Sequence, residues 1–92
     1  MKVRVNGKFI ILTSDAISDQ RFNTITVDKV QKTVLPGFWR EYQPHPLMEV
    51  VAVGRLIAMA AGVLCKLSAG VEVDLDEVAL EVIPEEKLTW EN

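Results

Sequence analysis

From Met1 to Asn6 polar and apolar residues alternate, which is the period of a strand with one covered face. A second apolar run, Lys8 to Leu12, follows the dipeptide Asn6-Gly7. That dipeptide tolerates positive φ and suits a two-residue type I′ turn, so the pattern predicts a β-hairpin over Lys2 to Leu12. Thr13 to Asn23 is polar and reads as a connector, with Ser14, Asp15, Ser18 and Asp19 supplying oxygens to local backbone donors. Phe22 to Val27 carries a β-branched cluster and is predicted to be a strand.

Pro36 suits the first turn of a helix, and Phe38, Trp39 and Tyr42 recur at helical spacing, so Pro36 to Gln43 is expected to be a short helix ended by Pro44-His45-Pro46. Leu47 to Val53 is rich in valine with little alternation, the composition of a central strand buried on both faces, and Gly54 is read as the turn after it. Arg55 to Ala69 contains good helix formers and ends at Gly70, a natural left-handed cap. Beyond it Val71, Val73 and Leu75 alternate with acids, and Val78, Leu80 and Val82 resume one step out of phase. A half-buried strand with a bulge or turn at Asp76-Glu77 is expected there. Leu88 and Trp90 are placed in a last edge strand within an acidic tail.

The helix over Arg55 to Ala69 is apolar nearly all round, and one sheet covers only one side of a helix. Either a second copy of the chain packs on the other side or the Pro36 to Gln43 helix does; a homodimer is the preferred expectation. The same region raises a membrane span, but Glu49, Arg55 and Lys66 interrupt it, and no continuous apolar stretch marks the N-terminus as a signal peptide. A single cysteine, Cys65, excludes an internal disulfide and fits a reducing compartment, so a cytoplasmic protein is expected, with no membrane partner.

With 92 residues the chain suffices for one domain. The net charge of −3 hides a division: residues 1–46 hold seven Lys or Arg against four acids, and residues 47–92 hold three against nine. The basic half is the better candidate to face an anion. Catalytic chemistry finds little footing. His45 is the only histidine and lies between prolines, Asp74, Asp76 and Glu77 have the spacing of a strand's wet face, and no phosphate-binding or calcium-binding loop occurs. No enzyme, metal or cofactor is expected.

The segments Ile25-Thr26-Val27 with Lys29 and Lys32, then Met48 through Ala60, resemble the Alba superfamily of archaeal and eukaryotic DNA- and RNA-binding proteins over about residues 25–83. The resemblance implies an α+β, two-layer sandwich of order β-α-β-α-β(-β), here with an added N-terminal hairpin. It also implies that Lys29, Lys32 and Arg55 lie on neighbouring turns and contact nucleic-acid phosphates; apart from the resemblance, Arg40 and Arg21 are weaker candidates. Lysine and arginine on turn tips do reach phosphate oxygens. The family's long basic C-terminal hairpin is replaced by a short acidic stretch, so the alternative expectation is a protein-interaction or assembly module of the same fold.

Overall fold

The computed structural model describes residues 1–35, 43 and 47–91. It is an α+β domain with, among the described residues, a five-stranded mixed sheet and two helices: β1 (Lys2–Asn6), β2 (Phe9–Thr13), β3 (Thr24–Asp28), β4 (Thr33–Val34), α1 (Leu47–Ser68), α2 (Leu75–Val82) and β5 (Thr89–Glu91).

The sheet order is β4-β3-β2-β1-β5; the first four strands pair antiparallel and β5 joins β1 in parallel. Register aligns Val3 with Leu12 and Leu12 with Ile25, and a second row aligns Val5, Ile10 and Val27. These residues share one face, and all but Val5 are buried. The expected hairpin is present, with its turn one residue later than Asn6-Gly7: Gly7 and Lys8 form the loop, and only Gly7 has positive φ, at +59°. One left-handed residue at the first loop position is the requirement of a type II′ turn, not type I′.

Two expected elements are different in kind. Leu47 to Val53 is no strand; it forms the first two turns of the 22-residue α1. Ala52, Val53, Leu56, Met59, Ala60 and Val63 are buried, and their spacing is helical straight through Gly54, which makes no turn. Valine's preference for strands is weak enough for this packing to override. Likewise the acidic strand expected from Val71 is not formed: Val71 to Asp74 has no regular structure, and α2 follows from Leu75. Asp74 caps it by accepting from the amides of Asp76 (3.1 Å) and Glu77 (3.3 Å), while Leu75, Val78 and Ala79 turn inward at helical spacing. From Ile25 onward the described elements therefore run strand, strand, helix, helix, strand, and not in the expected strand-helix alternation.

Gly70 ends α1 as expected. Its φ is +71°, its amide donates to Leu67 O and the Val71 amide donates to Lys66 O, a Schellman closure. The edge strand expected at Leu88 and Trp90 is β5, which begins one residue after Leu88. α1 packs on β2 and β3, and α2 lies against α1 with Leu75, Val78 and Ile83 completing the core. The helix expected over Pro36 to Gln43, apart from Gln43 itself, and the Pro44-His45-Pro46 stop lie outside the described residues, as does Arg40.

Candidate functional site

The charges of α1 are few, and every one is held inside the domain. Glu49 accepts from the Ser18 amide and hydroxyl, Arg55 Nη2 lies 3.1 Å from Glu85 Oε1, and Lys66 Nζ lies 3.6 Å from Glu81 Oε1. Glu85 and Glu81 belong to α2 and the segment after it, so the two cations face that helix. Gly62 faces it too, lying against Val78 and Val82. The side of α1 turned away from both the sheet and α2 is left without a charge.

That outer side is open to water and apolar. Val50 is 43% exposed, Val51 51% and Ile57 49%, and Gly54, Ala61 and Cys65 are exposed beside them. A solvent-facing helix ordinarily carries charged residues on its wet side. The sequence pattern anticipated this anomaly as a helix needing more cover than one sheet, and the structure locates the strip that no other described residue covers. Cys65, a free thiol, is exposed on it. Along one flank Ile25, Val34, Leu35, Ile57, Ala60, Ala61 and Leu64 line an apolar groove of about 290 Å³. Over Glu49–Ser68 α1 is long and apolar enough to cross a membrane by length and composition. The bonds from Glu49, Arg55 and Lys66 to Ser18, Glu85 and Glu81 instead tie it into the domain.

The expected cationic residues fall into two places. Lys29 and Lys32 sit in the β3–β4 turn, which is built by Asp28: its carboxylate accepts from the amides of Val30 and Gln31, both at 2.9 Å, and pairs with Lys8 Nζ at 3.4 Å. These contacts, the Gln31 amide foremost, hold the Asp28 carboxyl below its usual range against the opposing effect of burial. Lys32 stands at φ +55°, left-handed without being glycine, and is exposed at the tip. The Lys29 amide donates to Lys8 O at 2.8 Å, so the two hairpin ends meet and bring Lys8 beside the pair. Lys8 was missed by sequence reasoning, because only the strand register shows the two turns to be neighbours.

Arg55 is elsewhere. The Lys8 and Lys29 turns lie at the end of the sheet where Asn6, Phe9 and Asp28 pair, whereas Glu85, its partner, precedes β5, whose start pairs with Lys2 at the opposite end. The structure therefore does not bring Arg55 to Lys29 and Lys32. Acids also border those lysines: Lys29 shares a shallow cleft with Glu72, Asp74 and Trp90. Arg21 is bound to Asp19 through Nε (3.1 Å) and Nη2 (2.8 Å), and that side-chain contact lowers the Asp19 pKa. Asp74 and Asp76, expected on the wet face of a strand, are the α2 cap and the acceptor for Trp90 Nε1. Among the described residues no group of three or more His, Cys, Asp or Glu side chains is placed to hold a metal ion.

Comparison with protein-family models, with characterised proteins and with solved structures finds no match to this chain.

Proposed function

We propose that this protein is a non-catalytic assembly module whose working surface is the outer face of α1. One observation carries the proposal: a 22-residue helix keeps its three charges on its inward and α2-facing sides and presents valine, isoleucine, alanine and glycine to water. Contiguous exposed apolar surface on a small domain marks a place where something docks. Docking there leaves no charge unpaired, because Glu49, Arg55 and Lys66 already have partners. The test is the native size of the full chain in gently lysed cells. Wild type is expected to elute above the size of a free chain, and Ala61→Glu, a change on the exposed strip, is expected to elute as a folded monomer. Wild type eluting as a monomer would remove the assembly role.

A second reading is nucleic-acid binding of the Alba-like kind, and it draws on the meeting of Lys8, Lys29 and Lys32 at one end of the sheet. Three cations suffice for a few phosphate contacts, with the steep salt dependence that counterion release brings. Without Arg55, and with Glu72 and Asp74 in the same cleft, this patch is the weaker surface.

A further inference from the structure

We infer that the cleft between the β3–β4 turn and the segment leading into α2 is a binding site for a small zwitterion, a molecule with a carboxylate and an ammonium at opposite ends of an apolar chain. The cleft encloses about 340 Å³, near the lower end of the range for small-molecule sites. No residue of α1 lines it, so it is separate from the assembly face.

Two opposite charges stand open in this cleft. Lys29 is half-buried and Glu72 exposed, and neither side chain has a hydrogen bond or ion pair among the described residues. They line one cleft without pairing with each other, whereas Lys8 has found Asp28, Arg55 has found Glu85 and Lys66 has found Glu81. A half-buried ammonium without a counterion has lost part of its hydration and gained no partner. A ligand that brings a carboxylate to Lys29 and an ammonium to Glu72 supplies both missing partners through charge-assisted bonds. Asp74, which also lines the cleft, is already engaged as the α2 cap.

The rest of the lining is apolar. Val5 is 44% exposed although Ile10 and Val27, its neighbours in the same row of the sheet, are buried, and the cleft lies over it. Among the described residues β5 pairs with β1 only as far as Arg4, so no strand flanks Val5 on that side. Trp90 is 49% exposed and offers a broad apolar ring, whose Nε1 donates to Asp76 Oδ1 at 3.3 Å and so anchors the ring beside the cleft. An apolar chain laid on these residues takes from water the surface that Val5 and Trp90 now expose. A ligand with a single charge would satisfy one of Lys29 and Glu72 and leave the other without a partner.

The probe is 6-aminohexanoate, titrated into the full-length protein and read by the indole N–H resonance of Trp90, which Trp90→Phe assigns. That resonance is expected to shift and to saturate in the millimolar range. Hexanoate and hexylamine, which each lack one charge, are expected to bind about tenfold more weakly, and so is 6-aminohexanoate to Lys29→Gln and to Glu72→Gln. Neither side chain bonds to another described residue, so both variants should keep the wild-type circular dichroism. A Trp90 resonance that never moves would overturn the proposal. Hexylamine binding as tightly as the zwitterion would overturn it as well, since that is the mark of an acidic surface that attracts any cation. Full affinity in both glutamine variants would place the ligand elsewhere and end it equally.

Discussion

A β-carbon placed on Gly62 would stand 2.7 Å from Cγ1 of Val78, closer than any ordinary van der Waals contact. Val78 is buried and β-branched, so it has little room to move, and the missing side chain at Gly62 is what lets α2 lie down on α1. Gly62→Ala should therefore destabilise, because overpacking costs about 1–3 kcal/mol while the gain in helix propensity returns only about 1 kcal/mol. Gly54→Ala, with nothing within 4 Å of the new carbon, should stabilise the isolated chain by about 0.5–1 kcal/mol. Urea denaturation of the two variants at low protein concentration checks the contrast.

The Asp74 cap decides where the acidic C-terminal half becomes helical. Asp74→Ala leaves the Asp76 and Glu77 amides without their acceptor and is expected to cost about 1 kcal/mol of stability, with loss of helical circular dichroism if α2 frays. Asp74→Asn should retain most of the cap. Equal stability of the alanine variant and wild type would show that α2 is held by packing alone.

These same residues show how far the sequence could be read. Hairpin, edge strand, Gly70 cap and the β3 strand follow from rules that act over a few residues: alternation, turn chemistry, left-handed glycine. Leu47 to Val53 failed because a run of valines looks alike in a buried strand and a buried helix, and only its continuation in phase with Leu56 and Met59 tells them apart. Val71 to Val82 failed for a related reason. The step out of phase at Asp76-Glu77 marked the change from strand period to helical period, with Asp74 as its cap. The need for cover on the long helix was legible from composition. Which strip lacks it depends on where Arg55 and Lys66 point, and that is set by α2.

Acid should loosen the β3–β4 turn. Asp28 and Asp19 both have folded pKa values below the ordinary carboxylate value, Asp28 chiefly through the Gln31 amide and Asp19 chiefly through the Arg21 side chain. A lowered folded pKa contributes stability above the unfolded value, about 3.9, that is lost as pH falls through the folded value. Thermal midpoints are expected to be flat from pH 7 to about 5 with respect to these groups and to fall below about pH 4. Asp28→Asn should lower the midpoint at neutral pH and flatten part of the acid decline. An acid decline identical to that of wild type would mean that Asp28 contributes nothing to it.

The Lys8, Lys29 and Lys32 group can be tested against Arg55 directly. In anisotropy titrations with duplex DNA and single-stranded RNA at low salt, any binding should be weak, diminish with added salt and be reduced by Lys32→Glu, while Arg55→Glu should leave it unchanged. Stronger dependence on Arg55 than on Lys32 would contradict the placement of the two sites at opposite ends of the sheet.

Alkylation of Cys65 reads the cover over α1 most directly, because this thiol stands on the outer face and is the only cysteine in the chain. In cells producing the full chain, a membrane-permeant maleimide is expected to modify Cys65 many-fold more slowly than in dilute purified protein, and Ala61→Glu is expected to restore the fast rate. Equal rates for the wild-type thiol in cells and in dilute solution would contradict an interface on this helix.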